Sequence, residues 1–118
     1  MQSIADVREA CAALPHSQET FPFDATTLVF KVGGKMYALT DLQSDPVTLS
    51  LKVRPEEGEA LRAAHEAITP GYHLNKRHWV TLTLDGSLPA GLGQSLLAGS
   101  HTLVVSGLTR AARAELGL

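Results

Sequence analysis

Cysteine, net charge and long apolar runs are what this chain has least of. Cys11 is the only cysteine among 118 residues, which excludes an internal disulfide and fits a reducing cytosol. No apolar stretch approaches the ~20 residues that a membrane helix requires. The first residues, Met1 to Asp6, lack a basic region followed by an apolar stretch, so no signal peptide is expected and the chain reads as cytoplasmic. The formal net charge is only −2. The molecule is therefore no polycation, and any contact with nucleic acid must rest on a local patch. Also absent are a G-x-S-x-G elbow, a phosphate-cradling glycine loop and a paired-carboxylate constellation, so no enzymatic activity is expected. No repeat or linker divides the chain. With 44% hydrophobic residues and a mean hydropathy of +0.03, residues 1–118 fit one monomeric domain built on one core.

What is present is a succession of short, clearly patterned segments. Ser3 or Asp6 begins a first helix whose apolar stripe is Ile4, Val7, Cys11 and Leu14, and Pro15 ends it. Cys11 lies on that stripe and reads as a small buried hydrophobe. After a loop through Phe21-Pro22-Phe23-Asp24, residues Thr26 to Val32 alternate as a strand. Gly33-Gly34 signals a tight hairpin, because a two-residue turn of the favoured hand needs positive φ. Lys35 to Thr40 returns, with Phe30 expected opposite Tyr37 and Val32 opposite Lys35. Val47 to Val53 alternates as a half-buried strand.

Pro55 suits the first turn of a second helix, and Glu56 and Glu57 suit its positive end. Leu61, Ala64, His65 and Ile68 share one face of it, and Thr69-Pro70-Gly71 stops it. Trp79 to Leu84 alternates as a fourth strand, and Asp85-Gly86 is a turn. Pro89 opens a third helix with the stripe Leu92, Leu96, Gly99 and Leu103, Gly107 caps it, and Thr109 begins a short last helix. The order is α-β-β-β-α-β-α-α. Hairpin-linked strands imply an antiparallel sheet, and helices gathered on one face give a two-layer α+β domain. The other face would carry Thr48, Ser50, Lys52, Trp79, Thr81 and Thr83.

One stretch carries more chemistry than a connection needs. Residues Pro70 to Trp79 hold Lys76, Arg77, His73, His78, Asn75, Tyr72 and the only tryptophan. Lys76 and Arg77 can each neutralise a phosphate, and Asn75 can donate to phosphate oxygens. Lys31, Lys35, Lys52 and Arg54 on neighbouring strands can extend the patch, and Tyr72 and Trp79 can stack on unpaired bases. A plain structural account is equally open: Asn75 can bond its own backbone, His73 and His78 can cap carbonyls, and the two aromatics can cover the end of the core. A third reading gives the same surface to a small anion or a protein partner. His65, His73 and His78 match no zinc spacing, so neither a metal nor another cofactor is expected.

The chain resembles the MmcQ/YjbR family over nearly its full length. The resemblance rests on Phe30-Lys31-Val32-Gly33-Gly34-Lys35, Leu49-Ser50-Leu51-Lys52, Gly71-Tyr72-His73-Leu74-Asn75-Lys76-Arg77-His78-Trp79 and Leu84-Asp85-Gly86-Ser87-Leu88-Pro89. It implies a small bacterial protein with a fold like that of CyaY, the bacterial frataxin. It also implies a double-wing arrangement, in which β-hairpins flank a helical layer and contact DNA. It supplies no catalytic residues. Iron binding does not follow, because frataxins use a strongly acidic first helix and this one offers only Asp6 and Glu9 beside Arg8.

Overall fold

Ser3 and Asp6 close a reciprocal capping box at the start of α1 (Ile4–Ala12): the Ser3 hydroxyl accepts from Asp6 N, and the Asp6 carboxylate accepts from Ser3 N. The chain then forms β1 (Gln18–Thr20), β2 (Thr27–Val32), β3 (Lys35–Asp41) and β4 (Thr48–Lys52). It continues through α2 (Pro55–Ala64), β5 (Ile68–Pro70), β6 (Trp79–Thr83), α3 (Leu92–Ser106) and α4 (Arg110–Glu115). This computed structural model describes residues 1–71 and 74–118. The fold is α+β: one antiparallel sheet in the order β1-β2-β3-β4-β6-β5, with the helices on one side of it.

Pairing assigns the two faces. Phe30, Ala38, Leu51 and Val80 lie opposite one another in successive strands and point into the helix-side core with Val7, Leu97 and Val104. The next row, Val29, Leu39, Ser50, Thr81 and Thr69, lies on the other face, as do the pairs Thr48–Thr83 and Lys52–Trp79. The polar β-branched face expected from the alternation is present, and the helices leave it uncovered.

Register departs from simple alternation at Tyr37. Val32 does lie opposite Lys35, but Phe30 lies opposite Ala38 rather than Tyr37, because Tyr37 is an extra residue between the Phe30–Ala38 and Lys31–Met36 pairs. Such a bulge turns one side chain out of the alternation. The fully buried Tyr37 ring packs near Phe30 and edge-on against His101, with its hydroxyl bonded to Ser17. The β3–β4 ladder holds only the pairs Ala38–Leu51 and Leu39–Ser50. At the next step the buried Ser100 of α3 intervenes: its hydroxyl donates to Tyr37 O at 2.6 Å and accepts from Lys52 N at 2.9 Å.

Three other expectations change. β1 and β5 are short edge strands that the patterning did not reveal. α2 ends at Ala64, with His65 already extended, and Ile68 leaves the expected helical face to pair with Leu82 at the sheet edge. Burial of Ile68 against the sheet outweighs local helical periodicity, and Pro70 is tolerated because an edge strand needs no donor on its outer side. The stripe of α3 is turned by one residue: Leu97, Ser100, His101 and Val104 are buried, whereas Gly99 is exposed.

Ser100→Ala leaves the Tyr37 carbonyl and the Lys52 amide without their shared partner and is expected to destabilise the fold by about 2 kcal/mol. Urea unfolding checks this against Ser106→Ala. That exposed hydroxyl bonds only Leu103 O, and its loss should cost less than about 0.5 kcal/mol.

Candidate functional site

Antiparallel pairing brings separate basic segments to one end of the sheet. β2 and β3 join at Gly33-Gly34, where φ is +58° and +77° as a two-residue hairpin of this hand requires. Lys31 and Lys35 flank that tip. β4 runs against β3 and so finishes beside it at Lys52, and β6 starts directly opposite, with Trp79 paired to Lys52. β5 and β6 form a second hairpin whose connection, ending at His78, leaves the same end. His78 O accepts from Val53 N at 2.8 Å, tying that connection to the segment after β4. Arg54 precedes α2 there.

The helical layer reaches this end as well. Gly33 lies so close to the segment after α3 that a Cβ on it would stand 2.7 Å from Leu108 Cδ1. α4 follows directly and carries Arg110 and Arg113.

Individual side chains differ in availability. Lys35, Arg54, Asn75, Lys76 and Arg77 are exposed, and Lys31, Lys52 and His78 are half-buried. Asn75 Oδ1 accepts from Arg77 N at 2.9 Å, and Asn75 O accepts from His78 N at 3.1 Å. Asn75 therefore folds its own turn, as the structural account expected, and keeps its amide NH2 as a donor. Trp79 is 8% exposed, and a Cβ on Gly71 would meet its Cβ at 2.7 Å. Its ring is a packed residue and no open platform for base stacking. Tyr72 and His73 lie outside the described residues. Lys52 and Arg54 line a cleft of about 300 Å³ with Glu57, Thr102 and Ser106. Glu57 of α2 thus borders the basic end and weakens its field.

Carboxylates gather at the other end of the strands. Asp24 precedes β2, Asp41 ends β3, Asp45 follows it, and Asp85 follows β6. The Asp24 carboxylate accepts from Thr26 N at 2.9 Å, Thr27 N at 2.7 Å and the Thr27 hydroxyl at 3.2 Å. These bonds, the backbone ones foremost, hold it below the usual carboxylate value of 3.8. Asp85 is lowered chiefly by the Ser87 hydroxyl, and Asp6 chiefly by the Gln2 amide.

Among the described residues no three His, Cys, Asp or Glu side chains are grouped to hold a metal. His65 follows α2 near the acidic end, a strand's length from His78. Burial pushes the Cys11 thiol up to about 12, so it stays protonated.

Sequence reasoning missed Ser100, His101, Arg110 and Arg113. His101 is 6% exposed, and its Nε2 donates to Pro15 O at 2.8 Å. Its spacing four residues after Leu97 on an apolar helix was the available signal. For the two arginines, only the contact between Gly33 and Leu108 reveals their placement.

The arrangement defines a class: small α+β proteins whose open antiparallel sheet carries helices on one side and two hairpin ends at one pole. The chain belongs to the YjbR family, whose model matches residues 12–103. It is 33% identical over 104 residues to the uncharacterized protein YjbR of Escherichia coli K12, covering 88% of each chain. The crystal structure of Deinococcus radiodurans protein DR2400, with its DUF419 domain, superposes with a TM-score of 0.93 at 61% identity, covering 100% of this chain and 90% of that one. A Pseudomonas syringae protein of known crystal structure gives a TM-score of 0.73 at 28% identity, covering 86% of this chain and 97% of that one.

The lowered carboxylates fix the sign of the acid response. A group whose folded value lies below its unfolded one contributes stability above the unfolded value, and that contribution is lost as pH falls through the folded value. The melting temperature is therefore expected to hold down to about pH 4 and to fall below it. Asp24→Asn should flatten that fall, which thermal unfolding followed from neutral to acid pH measures.

Proposed function

We propose that the chain binds nucleic acid by its phosphate backbone, using the basic end of the sheet. The observation that carries this reading is the register, which sets Lys35, Lys52, Arg54 and the turn bearing Lys76 and Arg77 at one pole of a chain whose net charge is −2. Phosphate contact needs this kind of array, with cations and free amide donors spaced along a surface. The hairpin ends at Gly33-Gly34 and Asn75–His78 act as the two wings. Arg110 and Arg113 add to the positive surface near the first tip, Lys31 lies behind that tip, and His78 and Trp79 end the connection that forms the second; His73, the further residue expected there, lies outside the described residues. The acidic opposite pole orients the molecule, repelling the duplex where Asp24, Asp41, Asp45 and Asp85 lie.

The action is binding without turnover, by a monomer of one domain in the cytoplasm. No helix is long and apolar enough to cross a membrane among the described residues. With Trp79 packed away, backbone contact to a duplex is favoured over base stacking. The cleft of about 300 Å³ where Lys52 and Arg54 face Thr102 and Ser106 favours one second reading, in which the same cations hold a small anion or an acidic protein segment.

Anisotropy titrations of a labelled duplex from ~50 to ~200 mM salt separate the two. Wild type is expected to bind with a steep salt slope, and the double variant Lys76→Glu, Arg77→Glu to bind at least tenfold more weakly with the slope reduced by about 2. Unchanged affinity and slope in that variant would refute nucleic-acid binding at this pole. A partner bound with little salt dependence would support the second reading.

A further inference from the structure

The uncovered face of the sheet holds a concavity of about 670 Å³. It shares only Leu74 with the connection that carries Lys76 and Arg77, and none of the cations of the function proposed above lines it. Its floor is a lattice of hydroxyls fixed by register: Thr48 opposite Thr83, Ser50 opposite Thr81, and Thr69 beside Thr81. Ser50 and Thr81 bond each other at 2.8 Å. The Thr48 and Thr83 hydroxyls have no protein partner among the described residues, so they face the cavity as free donors and acceptors. The volume falls in the range of small-molecule sites.

The walls supply what a floor of hydroxyls lacks. Leu39 and Leu74 add apolar surface, and Phe23 stands at the rim, 66% exposed. An aromatic ring so placed gains by being covered. Two carboxylates, Asp24 and Asp41, line the cavity, and no Lys, Arg or His does among the described residues. Asp24 is committed to its own turn. Asp41 accepts from Gln43 N through Oδ1, and its Oδ2 has no protein partner among the described residues. The charge of the site is therefore negative and partly unspent, at one end of an apolar-walled groove.

We propose that this concavity binds a small organic cation: a protonated amine whose ring lies against Phe23, Leu39 and Leu74 and whose ammonium meets Asp41 and the free hydroxyls. Charge complementarity selects the cation, because an anion of the same shape would meet two carboxylates and no compensating base. The ring adds the apolar burial that a hydroxyl floor alone cannot provide.

The test uses the full chain, labelled for amide chemical shifts and titrated with tryptamine and with indole-3-propionate, two probes that share a ring and differ in charge. Tryptamine is expected to give saturable shifts at Leu39, Ser50 and Thr81, at least tenfold tighter than the propionate. Asp41→Asn keeps the Oδ1 that accepts from Gln43 and should weaken tryptamine at least fivefold. Leu39→Trp fills the groove and should abolish binding while leaving the resonances of Val7 and Val104 in place, which shows that the fold is intact. Equal binding of the two probes, no saturable shift on this face, or an Asp41→Asn variant that binds tryptamine as wild type does would each overturn the proposal.

Discussion

The Ser100 hydroxyl, held between Tyr37 O and Lys52 N, is the contact on which the geometry of the whole molecule depends. A bulge at Tyr37 takes one residue out of the β2–β3 alternation and leaves a carbonyl that the strand ladder no longer serves. A side chain from α3 serves it and simultaneously takes the amide of the last β4 residue. The helix is thereby docked at one longitudinal position on the sheet, and His101, next in sequence, is set edge-on against the Tyr37 ring. Beyond this point β3 and β4 are no longer laddered together, and the chain after Lys52 turns away into α2.

Two consequences follow from helices on one side only. β4 and β6 present Leu49, Leu51, Val80 and Leu82 to the helices and Thr48, Ser50, Thr81 and Thr83 to the other side, which produces a face rich in hydroxyls. The antiparallel order also sorts the connections by end. Hairpin tips and strand starts rich in Lys and Arg fall at one pole, and turns rich in Asp fall at the other. A chain of nearly balanced charge thus sorts several of its Lys and Arg residues from several of its Asp residues along the strands, which global composition cannot express.

Much of this was legible in the sequence. The period-two segments from Thr27 to Val32 and from Thr48 to Lys52, the Gly33-Gly34 turn, the Ser3 and Thr109 caps and Pro55 all act locally, and local rules describe them well. The sheet face bearing Thr48, Ser50, Lys52, Trp79, Thr81 and Thr83 was readable for the same reason. What escaped was decided by distant contacts. Ile68 reads as the last residue of the helical face until β6 is available to pair with it. The bulge at Tyr37 depends on Ser100, 63 residues away. The burial of Trp79 depends on the close approach of Gly71. Of the candidate site, the residue types were visible but their convergence was not, because convergence is a property of strand order. Arg110 and Arg113 join the basic pole only through the packing of Leu108 on Gly33.

The central claim, that the sorted basic pole meets phosphate, is tested most directly by following amide chemical shifts while a short DNA duplex is added at low salt. The account predicts shifts confined to Gly33–Lys35, Lys52–Arg54, Asn75–Trp79 and Arg110–Arg113, collapsing as salt is raised, with α1 and the far part of the open face, at Thr48 and Thr83, unmoved. Shifts centred on Thr48 and Thr83 or on the acidic turns, or none at low salt, would contradict it.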